Sequence, residues 1–448
     1  MQVKNSRYWA YKGLWEVYFN GGYSNIVIDK ILNESRMESN DRALCTSIFY
    51  GVIERKLSLR YIISKFSKIK LNNISDEVLI LLQMGIYQIV YMDKIPDFSA
   101  VNEIVNLTKA LKLHSSIGFV NAILRNVARN KNIDLPTKES SKNLSIRYSC
   151  NEELIDLWLR SYGKDVTIKI LESALNVGSI SARVNTLKTS TDNLLFSLKE
   201  KGIQASKGLL KDSIDLKKVG SLDRLEQFRN GDFHIENLSS QICCEVLNPK
   251  AGERILDACS APGGKSFTIA EIMKDNGKIL SFDLYESKIN LVKSGAKRLG
   301  ISIIEAKVCD SSAFSFKEIE KFDKVLCDVP CSGLGVVRKK PEIKYKKYEE
   351  IKNITEIQYK ILSNVKDAVK LGGTLIYSTC TINREENNDI ADKFLKENEE
   401  FEPVEVKVNG IERVIDEKKN QLTIMPFGDY NTDGFFVAAF KRVKVGKE

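Results

Sequence analysis

Apolar side chains recur every three to four residues through positions 43–53, 79–91, 101–111 and 120–127, a spacing that predicts amphipathic helices over the front of the chain. The most apolar stretch, 78–92, is broken by Gln83, Gly85 and Gln88 and is too short to cross a bilayer, so it is expected as a buried helix. The segment Lys131-Asn-Ile-Asp-Leu-Pro-Thr-Lys-Glu-Ser-Ser-Lys142 is polar and turn-rich, which marks a linker. Positions 145–235 read as a small mixed unit, with strand-like alternation in Ile180-Ser-Ala-Arg-Val-Asn185 and a helix over 191–201. Beyond about residue 240, apolar runs at 255–258, 279–282, 303–308, 324–327 and 375–377 alternate with helical stretches, the pattern of a doubly wound parallel sheet. Two further runs, 422–425 and 435–441, are separated only by a Gly/Asp/Asn loop and are expected as an antiparallel hairpin at one sheet edge. The expected division is therefore 1–135 helical, 136–240 linker plus α+β subdomain, and 241–448 α/β domain.

Charge alters this picture at the front. Net charge is +9; residues 1–150 carry 21 Lys and Arg against 13 Asp and Glu, while the remainder carry 47 against 46. Basic residues gather at Arg55, Lys56, Arg60, Lys65, Lys68 and Lys70. A basic front on a near-neutral body fits an arm that displaces counterions from a polyanion, and equally fits a solvated face on a Lys-rich chain. The charged start leads into no apolar signal core, so a cytoplasmic protein without a membrane association is expected.

Nine cysteines and two histidines, His114 and His234, bear on chemistry. No C-x-x-C pair offers a scaffold for zinc, and no metal site is expected. The histidines stand in no recognisable constellation, and the thiols are expected reduced and mostly buried.

The first strand of the α/β domain leads into Asp257-Ala-Cys-Ser-Ala-Pro-Gly-Gly-Lys-Ser266 and then a helix. Gly263 and Gly264 allow close backbone approach to a ligand at a helix N-terminus. The P-loop pattern would need glycine where Cys259 stands, and the dinucleotide pattern G-x-G-x-x-G is missing, so nucleotide hydrolysis and hydride transfer lose ground. The next strand ends in Asp283, suited to the ribose hydroxyls of an adenosine ligand, and the third in Asp310, suited to its exocyclic amine. The competing reading is that each aspartate caps the element that follows.

The fourth strand ends in Asp328-Val-Pro-Cys-Ser-Gly-Leu-Gly335 and the fifth in Ser378-Thr-Cys-Thr381. Neighbouring strand ends in a doubly wound sheet place Cys331 and Cys380 on one crevice beside the cofactor loop. Carbon 5 of cytosine is a poor nucleophile until a thiolate adds at carbon 6 and turns the ring into an enamine. The carbon-5 proton must then leave and the first thiol be expelled, so a second group is needed. Asp328 is expected as the acid near ring N3, and Lys265 as the cation that lowers a thiol pKa.

These residues resemble the Sun/NOL/NOP family of RNA cytosine-5 methyltransferases. Asp257 to Ser266, Asp283, Asp310, Asp328 to Gly335, Arg338-Lys-Lys-Pro-Glu-Ile-Lys344, Ser378 to Thr381 with Glu385-Glu-Asn387, and Asp433-Gly-Phe-Phe436 fall in family order, with Arg183-Val-Asn185 and Ser239-Ser-Gln241 upstream. The resemblance implies a Rossmann-like class I methyltransferase with a mostly parallel seven-stranded sheet and S-adenosylmethionine as cofactor. It implies a pocket lined by Cys259, Ser260, Ala261, Pro262, Gly263, Gly264, Lys265, Asp283, Asp310 and Asp328. Cys380 is then the nucleophile and Cys331 assists product release; DNA cytosine-5 enzymes instead attack with the Pro-Cys thiol.

Asp41-Arg-Ala43, Tyr50-Gly-Val52, Ala100-Val-Asn-Glu103 and Gly118-Phe-Val-Asn-Ala-Ile-Leu-Arg125 look like the helical RNA-binding domain of the antitermination factor NusB. That fusion is similar to the bacterial subfamily acting on one cytidine of 16S rRNA, the cytosine-967 site. It implies an RRM-like middle subdomain, naked rRNA or an early assembly intermediate as substrate, no obligate protein partner, and a monomer. The chain departs from the family at Ser260, Val329 and Glu342, at Cys150-Asn151, and at Glu236-Asn237, where Gln-Asp is common. Transfer RNA as substrate, and a non-catalytic NusB-like RNA-binding factor, are the alternatives.

Overall fold

The computed structural model describes residues 5–176, 180–217, 219, 222–408, 411, 418–428 and 432–444. They form two compact units, one of Met1–Asn176 with Val337–Tyr348 and the other of Val177–Val336 with Glu349–Glu448.

The first unit is helical. The expected helices appear as Ser39–Glu54, Asp76–Tyr91, Asp97–Ala110 and Ile117–Arg129, with Ser6–Phe19, Ser24–Glu34 and Lys56–Phe66 beside them. The helix Asp76–Tyr91 is the buried one: Leu81, Leu82, Met84 and Ile86 are fully enclosed together with Leu14, Phe49 and Leu124. Its glutamines are enclosed because they are satisfied. Gln88 accepts from Arg7 Nε at 2.8 Å and donates to Met84 O at 2.9 Å. No helix among the described residues is long and apolar enough to cross a membrane.

Two further features mark this unit. Residues read as the start of a mixed unit form helices Ser141–Tyr148 and Glu152–Ser173, the latter interrupted at Gly163 (φ 74°). They dock on the helix Lys56–Phe66, where Ser58 N donates to Ser149 Oγ at 2.9 Å and Ser58 Oγ to Ile146 O at 2.6 Å. The apolar spacing of Leu154, Leu157 and Trp158 is helical, and these side chains are buried. The second feature is the segment Val337–Tyr348, which lies far along the sequence yet is part of this unit. Lys344 is fully enclosed, its Nζ donating to Glu54 O at 2.8 Å and Tyr148 O at 3.2 Å, while Glu342 accepts from Ser24 N at 3.0 Å.

The second unit begins with a four-stranded antiparallel sheet of β1 (Ile180–Val184), β2 (Gln204–Lys207), β3 (Ser213–Lys217) and β4 (Phe233–Ile235), in the order β2-β3-β1-β4. The helix Thr191–Glu200 packs Leu194 and Leu198 onto Ala182, Val184, Ile214 and Phe233, a ferredoxin-like arrangement.

The larger sheet contains β5 (Arg254–Asp257), β6 (Lys278–Asp283), β7 (Ile304–Val308), β8 (Phe322–Asp328), β9 (Val369–Thr379), β10 (Phe401–Pro403), β11 (Gln421–Ile424) and β12 (Phe435–Arg442). Its order is β10-β12-β9-β8-β5-β6-β7, with β11 paired to β12. The strands β9-β8-β5-β6-β7 are mutually parallel, and β12 runs antiparallel to β9, β10 and β11. The expected seven strands are all present, and short β10 adds an eighth among the described residues. The expected hairpin is β11 with β12; residues 429–431 of its connecting loop lie outside the described residues. Strand order reverses between β5 and β8, so the ends of β5, β6, β8 and β9 face one crevice, where open α/β sheets bind ligands.

Candidate active site

The β5 strand delivers Asp257 and the loop that follows it. Gly263, at φ 112°, takes a backbone conformation costly for other residues and starts the helix Gly264–Ile272. The loop is fastened to the next strand: Ser260 N donates to Phe282 O at 2.7 Å, and Ala261 N to Asp283 Oδ2 at 3.3 Å. Asp257 is buried behind it and accepts from Ser266 Oγ at 2.6 Å. Burial, which disfavours the charged form, raises its pKa to about 7.

Cys259, Ser260, Ala261, Pro262, Gly264, Lys265 and Asp328 line one cavity of about 540 Å³. The other two expected cofactor aspartates stand differently. Asp283 Oδ2 is engaged by the loop itself, and Lys288 Nζ lies 3.6 Å from Oδ1. Asp310 lies on a second cavity of about 610 Å³ with Phe282, Cys309 and Phe314. It caps the turn after β7, accepting from Ser312 N at 2.9 Å and Ser312 Oγ at 2.7 Å, bonds that lower its pKa.

In-register pairing of β8 and β9 sets Asp328 against Ser378. Asp328 Oδ1 accepts from Ser378 Oγ and Oδ2 from Lys265 Nζ, both at 2.7 Å. Burial opposes the Lys265 charge, and Asp328 more than restores it, so the pKa of Lys265 is raised. The described contacts of this ammonium are Asp328, Ser240 Oγ at 3.3 Å and the Phe435 ring at 5.3 Å. The cation expected to act on a thiol is thus committed to Asp328, and both oxygens of the expected N3 acid already accept hydrogen bonds.

The chain continues from these strand ends to Cys331 and Cys380, whose sulfurs lie 3.1 Å apart as free thiols. All nine cysteines are free, and Cys45, Cys150, Cys243, Cys244 and Cys327 are buried. The Cys331 thiol is pushed well up, first by its contact with Cys380, then by burial and by Glu386. Gly335 N donates to Cys380 O at 3.1 Å; a Cβ on Gly335 would lie 2.1 Å from Gly434 O, so only glycine fits this crossing.

Two groups carried no role in the sequence reading of the site. Glu386, fully enclosed, accepts from Ser332 N at 2.8 Å, Gln358 Nε2 at 3.0 Å and Asn383 Nδ2 at 3.0 Å, and from Ser332 Oγ. Asn387 Oδ1 accepts from Thr379 Oγ1 at 2.6 Å, and Asn387 Nδ2 donates to Thr381 O at 3.0 Å. These two side chains hold the residues flanking both thiols; Glu385-Glu-Asn387 was the signal, shortly after Cys380. The second group surrounds His234, which is buried between Glu236 and Glu271 rather than standing apart from other ionisable groups.

Similarity to known proteins covers nearly the whole chain. The family model for 16S rRNA methyltransferase RsmB/F matches residues 244–441, the NusB family model 4–129, and that of the ferredoxin-like domain of RsmF/B-like methyltransferases 152–223. The chain is 36% identical over 444 residues to probable ribosomal RNA small subunit methyltransferase B of Bacillus subtilis, covering 97% of this chain and 98% of that one. It is 31% identical over 446 residues to the protein of the same name from Synechocystis, covering 98% and 99%. A methyltransferase homologue from Pyrococcus horikoshii, 28% identical, superposes with a TM-score of 0.60 over 68% of this chain and 99% of its own. The structure of PH0851, 24% identical, gives 0.81 over 97% of each chain, a likeness of fold. With the likeness running through all three parts in order, the chain belongs to the RsmB/F family of small-subunit ribosomal RNA methyltransferases.

Proposed function

We propose that this chain transfers a methyl group from S-adenosylmethionine to carbon 5 of a cytidine in 16S rRNA, at the site its subfamily modifies. The observation that carries the reading is the pair of reduced thiols 3.1 Å apart at adjacent strand ends. S-adenosylmethionine, when bound, supplies an electrophilic methyl carbon. The loop 259–265 would hold it, with Asp283 toward the ribose and Asp310, whose second carboxylate oxygen is not used in capping, toward the adenine.

Cys380 as thiolate forms a bond to carbon 6, and the displaced π electrons make carbon 5 nucleophilic. Lys265, held beside the base by Asp328, supplies the positive charge that offsets the negative charge developing on the ring. After carbon 5 is methylated, its proton leaves, the Cys380–carbon 6 bond breaks, and the ring double bond returns as Cys380 departs. Cys331 begins as a thiol 3.1 Å from Cys380; it releases its own proton to solvent once Cys380 is bonded to carbon 6, and the thiolate left takes the carbon-5 proton, which restores the starting pair.

Bisulfite mapping of ribosomal and transfer RNA, with and without the protein, tests the reading. One protected cytidine in 16S rRNA is expected. Protection confined to transfer RNA would move the substrate, and none at all would favour an RNA-binding role without catalysis.

A further inference from the structure

The ferredoxin-like subdomain and the larger sheet keep separate apolar clusters, and a buried polar joint runs between them. His234 of β4 is 3% exposed. Its Nδ1 lies 3.4 Å from Glu271 Oε1, and its Nε2 lies 3.7 Å from Glu236 Oε2 and 3.3 Å from Thr268 Oγ1. Thr268 Oγ1 donates to Glu236 Oε2 at 2.5 Å. Arg183 of β1 places Nε 3.4 Å from Glu271 Oε2 and donates through Nη1 to Lys211 O at 2.9 Å.

Two carboxylates this deeply buried need positive partners. Arg183 serves Glu271 and also faces Glu245 at 3.9 Å. Lys265, the other cation near Glu236, is ion-paired with Asp328 at 2.7 Å. The ring of Phe267, edge-on at 5.6 Å, offers no charge. The imidazole of His234 completes the balance. Burial opposes its charge, but Glu271 and then Glu236 outweigh burial and raise its pKa to about 9.

The carboxylates and Thr268 meet one face of the helix Gly264–Ile272. Positions 264, 268 and 271 are one turn apart in succession. Glu236 Oε1 sits 3.3 Å from where a Cβ of Gly264 would be, Thr268 bonds Glu236, and Glu271 bears on His234. The joint therefore grips this helix at its start, middle and end, and the start is the cofactor loop.

We infer that His234, as an imidazolium, is a positioning residue that holds the helix Gly264–Ile272 and its loop in the cofactor-binding geometry. The inference rests on the cofactor reading above. It also accounts for the departure from Gln-Asp at Glu236-Asn237: a carboxylate at 236 brings a charge that an imidazolium at 234 balances, and a neutral pair would need neither.

The test is titration calorimetry of the full chain with S-adenosylmethionine from about pH 7 to about pH 10, for wild type, His234→Gln and the doubly neutral His234→Thr/Glu236→Gln. Wild type should lose about tenfold more affinity across that range than the double variant, in which the ligand's own titration is the same. His234→Gln should bind about tenfold more weakly at neutral pH, and the double variant should recover to within about threefold of wild type. Identical pH profiles for wild type and double variant, or wild-type affinity in His234→Gln, would overturn the inference while leaving the cofactor reading intact. If His234→Gln fails to fold, the first comparison still decides. Absence of any cofactor binding by wild type at neutral pH would overturn both.

Discussion

Cys331 Sγ lies 3.1 Å from Cys380 Sγ, unbonded, across the ends of the neighbouring parallel strands β8 and β9. At this distance, ionising one sulfur makes it harder to ionise the other, and the Cys331 thiol is pushed well up by Cys380, by burial and by Glu386. A reaction that needs one attacking thiolate and one proton acceptor can use so close a pair.

Glu386 fixes the pair, so its replacement should cost both stability and turnover. Glu386→Gln keeps the size but turns an acceptor of bonds from Ser332, Gln358 and Asn383 into a mixed donor. Losing one charge-assisted bond in a buried site costs about 2 kcal/mol, which lowers Tm by roughly 4–8 °C in a unit of this size. Because the residues beside both thiols shift, kcat should fall about a hundredfold while the affinity for the cofactor changes little. Calorimetry and single-turnover methyl transfer measure the two effects; unchanged kcat would make Glu386 a purely structural group.

Much of this was legible in the chain. The strands β5 to β8 fall within a few residues of their apolar runs, because turn formers bound each run. The thiol pair followed from strand-end neighbours. What was not legible depends on distant partners. His234 meets Glu271 and Arg183, residues with no local pattern linking them, and Arg183 and Glu271 are 88 apart in sequence. Lys265 turns to Asp328, 63 residues on, rather than to a sulfur. Segment Val337–Tyr348 reads as part of the α/β domain because only packing assigns it to the helical unit.

Stability should carry the signature of His234. Its pKa rises from about 6.5 in the unfolded chain to about 9 in the fold, so its stabilisation is complete below about pH 6.5 and is lost as pH rises through about 9. Lys56 and Lys344 act in the opposite sense. Burial lowers both to about 8, so the fold gains stability as pH rises from about 8 toward their unfolded value near 10.5. The difference between wild type and His234→Gln isolates the first effect. It should narrow by several degrees of Tm between about pH 6.5 and about pH 9.5. A constant difference would mean that the imidazole is neutral throughout.

The basic cluster at 55–70 divides in two. Arg55 lies over the Tyr91 ring at 4.4 Å and Lys56 over Tyr18 at 4.2 Å, so these cations serve the helical unit. Lys65, Lys68 and Lys70 are exposed. Replacing these three by Glu should weaken rRNA binding and reduce the salt slope by about two, with Tm nearly unchanged. Lys56→Glu should instead lower Tm, since it buries a carboxylate among tyrosines. A salt slope unaffected by the triple change would make this a solvated face.

The most direct measurement of the central claim is covalent capture of 16S rRNA by the full chain in the presence of S-adenosylmethionine, read on denaturing gels for wild type, Cys331→Ala and Cys380→Ala. If Cys380 attacks and Cys331 completes the cycle, Cys331→Ala accumulates a stable protein–RNA adduct, while Cys380→Ala gives neither adduct nor methylated RNA. An adduct with Cys380→Ala and none with Cys331→Ala would contradict the account and exchange the roles of the two thiols.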